Sequence, residues 1–577
     1  MSPTYQDFPN YSVYFAGDAY SISQKIMGRQ SAGRQLIRGL AQKFVGSEIC
    51  GVGTSIQGRL AFDSQLRAEG YQGNLRFEVL PSAKDVSERG TLYYPAPPTR
   101  ELAHWRERVG ERHAFSLMGV THTLSSKIAA DQIADMQMPP FQTWDALICT
   151  SKAAETFVRD LQEEIRTYYR DALGATQFND PQLPVIPLGI NASSFDCDDG
   201  QRLAARAKLS LGGGEVVFLF AGRLSFHAKA NPLPMYWALE QASIKLADQQ
   251  PTESRSSTDL QVSLVGGAKD LVSIVCLEVG VFPNQHIERS FKAAQKAIAP
   301  HVRFITLNGQ DEVAYRTAWQ AANVFVSLSD NIQETFGLTP VEAMAAGLPV
   351  LISDWNGYRD TVRHEIDGFR VPTIQAPAGA GESLSLRYTL DVDTYDMYIG
   401  RASLATVVEP VSLARYTLAL ASNAVLRQQM GAEGRSRARL LYDWNYVLDQ
   451  YNSVSEELGQ RRKLTGMGMK GAWPSRSDPF KRFAHFSTGA LQANFIIRKA
   501  PDAEKRLVIL SGLSTANYGF DDDLLPRDLV NTLLGQISRV DGLSLSKLIE
   551  GMGGASETWI RALMWLWKFD LIRMTDH

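Results

Sequence analysis

Short apolar runs alternate with longer amphipathic segments through most of this chain, and the pattern restarts near residue 215. Runs of this kind predict buried strands, and the segments between them predict helices. The predicted strands are residues 12–17, 113–120, 145–151, 216–222, 302–307, 323–329 and 348–354. Such alternation is typical of βαβ units around a parallel sheet. The sequence therefore predicts an α/β protein with two doubly wound domains, whose ligands bind beyond the carboxyl ends of the strands.

The composition is that of an ordinary soluble globular protein, with 44% hydrophobic and 21% charged residues in a chain of 577. A net charge of −3 provides no field that would favour nucleic acid or a membrane surface. The four cysteines are scattered along the chain and do not have a metal-binding spacing. Their scatter indicates a reducing compartment. With neither a signal-peptide pattern nor a run of about 18 apolar residues, the sequence predicts a cytoplasmic protein without a spanning helix.

Two glutamates, Glu334 and Glu342, flank the predicted start of a helix in the segment ETFGLTPVEAMAAGLPVLISD, residues 334–354. Thr339 is a favourable N-cap, and Gly347 is a favourable residue for the C-terminal stop. Carboxylates accept hydrogen bonds, so both glutamates could bind sugar hydroxyls. The segment therefore offers an acceptor side chain on either side of one helix N-terminus.

The backbone amides at this helix start are a second candidate feature. Those of Gly337, Leu338 and Thr339 would point out of the helix N-terminus, which is a ready site for a diphosphate. Pro340 has no amide hydrogen but stands where none is needed. The same residues also fit a capping box, in which Glu342 only bonds back to the amide of the cap. Both interpretations stay open on these residues alone.

A capping box does not explain Glu334 or the Phe336-Gly337 pair that precedes the helix. The whole segment resembles the signature of retaining glycosyltransferases of family four, which have the GT-B fold of two Rossmann-like domains facing a cleft. The resemblance implies that Glu334 contacts the donor sugar and that Glu342 binds the nucleotide ribose. It also implies that the donor diphosphate is held by the backbone of Phe336, Gly337, Leu338 and Thr339.

Arg223 directly follows the apolar run at residues 216–222, and Lys229 comes six residues later. A leaving diphosphate needs positive charge, because cleavage of the glycosidic bond builds negative charge on its oxygens. The pair resembles the family's Gly-Arg…Lys element, although this chain has Lys229-Ala230 where the family usually has Lys-Gly. The resemblance implies that Arg223 and Lys229 neutralise the leaving group without a metal. Two solvated basic side chains are the alternative.

His122 and two glycines complete the candidate site in the first domain. His122 follows the predicted strand 113–120, and by resemblance it is the family's histidine beside the donor sugar and the reacting carbon. A loop histidine next to a helix cap is the alternative. Gly28 and Gly33 stand where the family has a glycine-rich loop, so they are predicted to let a turn close over phosphate or acceptor. Their spacing also fits ordinary turn positions.

The pattern changes again after residue 459, which divides the predicted architecture into three parts. The resemblance implies that residues 1–200 form an acceptor-side Rossmann-like domain, which a crossover helix at 440–458 completes. It also implies that residues 201–439 form the nucleotide-sugar-binding domain. Residues 460–577 begin with a basic linker and end in three amphipathic helices, which resemble a small helix-turn-helix or winged-helix module.

Three tryptophans, Trp559, Trp565 and Trp567, stand in the last predicted helix. Side chains of this size each bury about 150–250 Å² when they pack. Trp559 and Trp567 share one helical stripe, and Trp565 falls outside it. We therefore predict that the C-terminal module docks on the rest of the chain, on a second subunit or on a partner. The alternative is that the stripe only completes the module's own core.

The family resemblance implies a retaining glycosyltransferase that uses a nucleotide-sugar donor, with UDP or GDP as candidate carriers and an acceptor that the residues do not identify. No cofactor or metal is expected, because Asp391-Val-Asp393 has a metal-binding spacing but stands far along the sequence from the donor motifs. Another GT-B enzyme, such as a sugar phosphorylase or a nucleotide-sugar epimerase, is one alternative. A nucleic-acid-binding regulator and a scaffold without turnover are the others, although the final helix has few basic side chains for reading a groove.

Overall fold

The computed structural model describes residues 8–20, 28–109, 113–248, 272–464, 474–539, 542–551 and 556–575. Two compact units divide the chain, residues 1–472 and residues 473–577. Within the described ranges, every helix is too short or too polar to span a lipid bilayer.

The first sheet is parallel and follows the order β3-β2-β1-β4-β5-β6. Its strands are β1 Ser12–Tyr14, β2 Ile49–Gly53, β3 Leu75–Val79, β4 Thr91–Tyr94, β5 Ser116–Val120 and β6 Ala146–Ile148. Its helices are α1 Gly17–Tyr20, α2 Gly28–Lys43, α3 Ile56–Ala68, α4 Lys84–Arg89, α5 Arg100–Val109, α6 Lys127–Asp135 and α7 Lys152–Leu173. Every residue of β2, β5 and β6 is buried, as expected where helices cover both faces of a parallel sheet.

The second sheet repeats this plan in the order β12-β11-β10-β7-β8-β9. Its strands are β7 Glu215–Ala221, β8 Ser273–Gly280, β9 Arg303–Asn308, β10 Val324–Ser327, β11 Val350–Ser353 and β12 Gly368–Val371. The helices of this domain are α8 Asp199–Lys208, α9 Leu233–Asp248, α10 Gln285–Ile298, α11 Glu312–Ala321, α12 Leu338–Ala345, α13 Tyr358–Thr361, α14 Glu382–Thr389, α15 Tyr395–Ser403, α16 Pro410–Ser422 and α17 Ala424–Leu441. Both sheets have the doubly wound order with a central switch point. The predicted GT-B arrangement of two Rossmann-like domains is confirmed.

A two-stranded antiparallel sheet follows β12 in the second domain. Its strands are β13 Thr373–Gln375 and β14 Thr406–Val408, and Thr373 pairs with Val408. Helices α14 and α15 lie between the two strands, and the rings of Tyr388 and Tyr398 stack with centroids 4.6 Å apart. We call residues 373–408 the arm.

Helix α18, Trp444–Leu464, returns the chain to the first domain, as the sequence predicts, although it continues past the predicted end at residue 458. The ring of Tyr451 lies 6.4 Å from that of Tyr11 and 5.6 Å from that of Tyr93, measured between centroids. Trp444 packs against Gly39, where an added Cβ would lie 2.5 Å from the indole Cγ. This helix therefore closes the first domain with residues that follow the whole second domain.

The second unit has a small antiparallel sheet in the order β16-β15-β17. Its elements are α19 Pro479–Arg482, β15 Ile496–Lys499, α20 Ala503–Ser511, α21 Ser514–Asn517, α22 Arg527–Ile537, β16 Leu543–Ser544, α23 Leu545–Gly551, α24 Glu557–Lys568 and β17 Ile572–Thr575. Three of these helices, α22, α23 and α24, correspond to the predicted amphipathic helices. The run from α22 to β17 has the helix–strand–helix–helix–strand order of a winged-helix module, and β15 adds the central strand.

The three tryptophans of α24 pack inside this second unit. Trp565 is only 8% exposed, and its Nε1 donates to the carbonyl oxygen of Ala516 at 2.9 Å. Trp559 and Trp567 are half-buried against the same hydrophobic core. The module's own core therefore buries Trp565 and covers part of Trp559 and Trp567, as the alternative interpretation describes, while docking on another surface stays a prediction.

Candidate active site

The signature segment forms the loop after β10, helix α12 and strand β11. The helix begins earlier than predicted, with Gly337 as the N-cap and no side-chain cap bond. The prediction of Thr339 as the cap was wrong, because Gly337, at a φ of 83°, already turns the chain into the helix. Gly347, at a φ of 74°, follows the end of the helix as predicted, and its amide donates to the carbonyl oxygen of Met344 at 2.9 Å.

Only glycine fits at position 337. Its φ lies in the left-handed region, which side chains disfavour. An added Cβ would also lie 2.0 Å from Cε1 of Tyr358. Tyr358 is fully buried, and its hydroxyl forms a hydrogen bond with Oγ of Ser327 at 2.8 Å, so the ring has no room to move. The turn therefore fixes where the free amides of the first turn of α12 begin.

Glu342 does not make the capping-box bond. Its Oε2 accepts a hydrogen bond from the hydroxyl of Tyr315 at 3.1 Å, and the residue is 4% exposed. Burial raises the pKa of Glu342 to about 7, although the Tyr315 hydroxyl and the charge of Lys229 act to lower it. The capping-box interpretation is wrong, and the carboxyl group is left near its titration point at neutral pH.

Glu334 lies in the loop before α12 and pairs with Lys229, whose Nζ is 2.5 Å from Oε2 of the glutamate. Burial by itself would raise the pKa of Glu334. Lys229 and the amides of Thr335 and Phe336 outweigh burial and hold the pKa below its usual value. The carboxylate is therefore ionised and held by several donors. Two predicted site residues, 105 positions apart in the sequence, thus meet in space.

Arg223 follows β7 at its carboxyl end. Its Nη2 donates to Oε1 of Gln333 at 2.9 Å and to the carbonyl oxygen of Ala228 at 3.2 Å. Because Gln333 directly precedes Glu334, the guanidinium and the Lys229 ammonium converge on the same loop. This loop leads into the N-terminus of α12, where the helix dipole also favours an anion.

His122 is supplied by the first domain, in the loop after β5. Its carbonyl oxygen accepts a hydrogen bond from Oγ1 of Thr335 at 2.6 Å. Oγ of Ser151, also in the first domain, donates to the carbonyl oxygen of Thr335 at 2.8 Å. Because Thr335 follows Glu334, the two domains meet at the donor loop. The structure therefore brings together the four predicted catalytic residues, Glu334, His122, Arg223 and Lys229.

Gly28 and Gly33 do not form the predicted glycine-rich turn. Both lie in helix α2, of which Gly28 is the first residue, and Gly33 is buried. The prediction was wrong because the helical pattern already begins before Gly33, and a single glycine is tolerated inside a helix. The next residue, Arg34, forms an exposed ion pair with Glu312 of the second domain at 3.4 Å.

Sequence reasoning missed two residues that hold the predicted ones in place. Tyr315 lies on α11, 27 positions before Glu342, and no local motif connects the two residues. Gln333 adjoins Glu334, so its position in the signature loop could have indicated a contact with a nearby cation. Tyr315 orients Glu342, and Gln333 orients Arg223.

The described residues contain no group of three or more His, Cys, Asp or Glu side chains placed to hold a metal ion. The carboxylates of the Asp-X-Asp pair form ion pairs. Asp391 pairs with Lys127 at 2.5 Å, while Asp393 pairs with Arg387 at 2.9 Å and with Arg401 at 3.1 Å. These two carboxylates therefore stabilise the arm and its contact with the first domain.

Comparison with known proteins finds a matching family for part of this chain. Residues 201–381 match the model of the glycosyl transferases group 1 family. A D-inositol 3-phosphate glycosyltransferase of Streptomyces scabiei is 31% identical over 266 residues, which are 45% of this chain and 52% of that protein. A phosphatidyl-myo-inositol mannosyltransferase of Mycobacterium leprae is 26% identical over 367 residues, which are 63% of this chain and 72% of that protein.

The match to the Streptomyces relative spans about half of that protein's length. Among solved structures, a glycosyltransferase from Rickettsia africae has a TM-score of 0.48 and 12% identity, over 78% of this chain and 98% of that one. The family match includes the residues Arg223, Lys229, Glu334 and Glu342. The family match and the relatives therefore confirm the predicted resemblance to glycosyltransferases over the part of the chain that they match.

Proposed function

We propose that this chain is a glycosyltransferase, because residues 201–381 match the model of the glycosyl transferases group 1 family. It transfers a sugar from a nucleotide-diphosphate sugar to an acceptor hydroxyl, with retention of configuration and without a metal. The observation that carries this proposal is the Lys229–Glu334 ion pair beside Arg223, in the loop before α12. Positive charge for a diphosphate and a carboxylate for a sugar thus stand together.

The nucleotide-sugar donor binds at the N-terminus of α12. The free amides and the dipole at this helix N-terminus bind the diphosphate. Glu342 accepts hydrogen bonds from the ribose hydroxyls in place of the one from Tyr315, and Glu334 accepts one from the sugar. Each hydrogen bond to a charged group contributes on the order of 1.5–3 kcal/mol.

Transfer breaks the bond between the anomeric carbon and the diphosphate oxygen, and the electron pair leaves with the diphosphate. Arg223 and Lys229 stabilise the charge that builds on this leaving group. The acceptor hydroxyl then bonds to the anomeric carbon on the same face, and its proton passes to a β-phosphate oxygen. His122 lies on the acceptor side and orients the donor sugar. The products are a glycoside and a nucleoside diphosphate.

The names of the relatives suggest which acceptors to test. The Streptomyces protein is named for D-inositol 3-phosphate, and the Mycobacterium protein is named for phosphatidyl-myo-inositol. A cyclitol or its phosphate is therefore the first acceptor class to examine.

The free cysteines Cys50, Cys149, Cys197 and Cys276 support a reducing, cytoplasmic location.

The exposed side chains of the C-terminal module favour binding to a protein partner or to a second copy of the chain over binding to nucleic acid. The last helix, α24, exposes Ile560 and Met564, 39% and 43% accessible. Groove reading needs polar and basic side chains on such a helix. The oligomeric state in solution, measured by light scattering, bears directly on this part of the proposal.

The test is a donor screen with UDP-, GDP- and ADP-sugars, read by thermal shift and by donor hydrolysis in the presence of EDTA. One nucleotide is expected to stabilise the protein, and hydrolysis is expected to survive EDTA. Glu334→Gln and Arg223→Ala should each lower turnover by roughly 100-fold to 1,000-fold, as for loss of one stabilising donor. Arg289→Ala, at an exposed position of α10, is the control and should leave turnover unchanged.

Other outcomes decide between the alternatives. A strict requirement for Mg²⁺ or Mn²⁺ would contradict the metal-independent mechanism. Turnover that depends on inorganic phosphate would indicate a sugar phosphorylase, and donor epimerisation without an acceptor would indicate an epimerase. Binding of no donor at all would indicate a scaffold.

A further inference from the structure

The arm reaches from the second domain to the loop of the first domain that carries His122. On α15, the hydroxyl of Tyr395 forms hydrogen bonds with Oγ1 of Thr123 at 2.9 Å and with Oγ of Ser125 at 2.8 Å. These two hydroxyl side chains follow His122 by one and three positions. A side chain of the donor domain thus holds the acceptor-side loop directly beside a predicted catalytic residue.

A second contact lies at the end of the same loop, where α6 begins. Nζ of Lys127 is 2.5 Å from Oδ1 of Asp391 and lies 5.0 Å from the centroid of the Tyr388 ring. The amide of Lys127 donates to the Tyr388 hydroxyl at 3.3 Å, and its Nζ donates to the Tyr388 carbonyl oxygen at 3.3 Å. The arm therefore contacts the His122 loop at Thr123 and Ser125 and again at Lys127, where α6 begins.

Helix α15 of the arm also contacts the loops of the donor site. The carbonyl oxygen of Ile399 accepts a hydrogen bond from Nδ2 of Asn331 at 3.5 Å, and Asp396 lies 3.9 Å from Nε2 of His227. Asn331 stands three positions before Glu334, and His227 stands two positions before Lys229. The arm thus touches the loops that carry His122, Glu334 and Lys229.

We propose that the arm is a latch that holds the two Rossmann-like domains together and positions the His122 loop over the donor loops. This inference rests on the proposed function, since it assigns Tyr395 as a positioning residue for the acceptor side of that site. The Lys127–Asp391 pair is partly exposed, with 37% and 83% of the two side chains accessible. Exposed ion pairs are individually weak, so the latch can open to admit and release substrates.

The first experiment measures the distance between the domains without any substrate turnover. Spin labels are attached to Glu164→Cys on α7 and Lys296→Cys on α10, in the full chain carrying Cys197→Ser. Lys127→Asp and Asp391→Lys, each alone, should add a population with a longer label distance. The double variant should restore the wild-type distance, because it re-forms the ion pair with exchanged signs. Identical distributions in all four proteins would overturn the latch.

The second experiment separates positioning from general stability. Tyr395→Phe should give a roughly fivefold to tenfold lower kcat/KM for the acceptor, as for the loss of one or two hydrogen bonds. The affinity for the donor nucleotide should stay at the wild-type value. Tyr398→Phe is the matched control on the same helix, since its ring stacks on that of Tyr388 within the arm, and it should change neither quantity.

The two experiments fail in different ways. Equal losses of acceptor efficiency and nucleotide affinity in Tyr395→Phe would overturn the positioning role, because they would indicate general loosening of the fold. If the charge-reversed variants lengthen the distance and the double variant restores it, while wild-type protein transfers no sugar, then the latch stands and the proposed function fails.

Discussion

Carboxyl groups buried around the donor loop differ in charge state, and their immediate neighbours decide the difference. Lys229 and two backbone amides overcome burial and keep Glu334 ionised. Glu342 receives only a hydroxyl and the distant charge of Lys229, so burial raises its pKa to about 7. Burial also raises the pKa of Asp330 to about 7. The site therefore holds two carboxyl groups that titrate near neutrality, where a bound ligand can change their charge.

Glu342→Gln is expected to stabilise the protein at pH 8 and to weaken nucleotide binding. Glu342 has a pKa of about 7 when folded and an ordinary value of 4.5, so stability falls as the pH rises between these values. The difference, 7 − 4.5, corresponds to roughly 3 kcal/mol at most. The amide does not titrate, so the variant lacks this loss. Thermal unfolding at pH 5 and pH 8 and calorimetric titration with the donor nucleotide measure the two effects.

Asp330→Asn is the control for Glu342→Gln. Burial raises the pKa of both carboxyl groups to about 7, so a gain in stability at pH 8 is expected for both variants. Only Glu342→Gln should lose nucleotide affinity. If Glu342→Gln instead lowered stability by about 1 kcal/mol at both pH values, as loss of a helix cap does, its role would be structural.

At the scale of elements, tertiary contacts decided where α12 begins. Local propensity favours a start at Thr339 and Pro340, yet the helix begins at Leu338. The loop after β11 accounts for the difference, because Gly357 packs so closely that an added Cβ would lie 2.3 Å from the carbonyl oxygen of Thr335. Packing against this loop sets the path of the donor loop into the helix.

Gly337→Ala is expected to destabilise the protein by about 3 kcal/mol and to abolish nucleotide binding, because both the left-handed φ and the buried Tyr358 ring oppose a methyl group. Equilibrium unfolding in urea measures the loss of stability. Gly535→Ala, in α22, meets no atom within 4 Å and should raise stability by up to about 1 kcal/mol. An unchanged urea midpoint for Gly337→Ala would contradict the tight turn described here.

At the scale of the whole molecule, the chain divides between the hydrophobic clusters of the first unit and the separate core of the second unit. Val530, Leu533 and Leu563 belong to a core made only of residues from the second unit. The first unit needs α18, since Tyr451 is 1% exposed within the core of the first domain. A cut between the units must therefore fall after Leu464.

Residues 1–472 and residues 473–577, expressed separately, are each expected to fold, because each unit has its own core. The first fragment should bind the donor nucleotide with the affinity of the full chain. The second should unfold cooperatively on heating, as followed by circular dichroism. A fragment 1–443, which lacks α18, is the control and should be insoluble. A non-cooperative second fragment would contradict the independent core.

Several elements of the fold could be predicted from local pattern, and others could not. The seven predicted strands are all present, because their apolar runs are continuous. Strand β2, ICGVG, was not predicted, since its glycines weaken the strand pattern. Gly51 is suited to this strand only because the rings of Phe62 and Phe77 occupy the space where a Cβ would be. That packing depends on residues from other elements.

The sequence by itself determined the α/β class, the repeat of the doubly wound plan and the signature loop with Glu334, because these depend on periodicity and on residues close together in the chain. Only the tertiary structure decided that Glu342 bonds to Tyr315 and that the arm reaches Lys127. The first contact joins residues 27 positions apart, and the contact of Lys127 with Asp391 joins residues 264 positions apart. No local pattern encodes such pairs, because they form only when separate elements pack against one another.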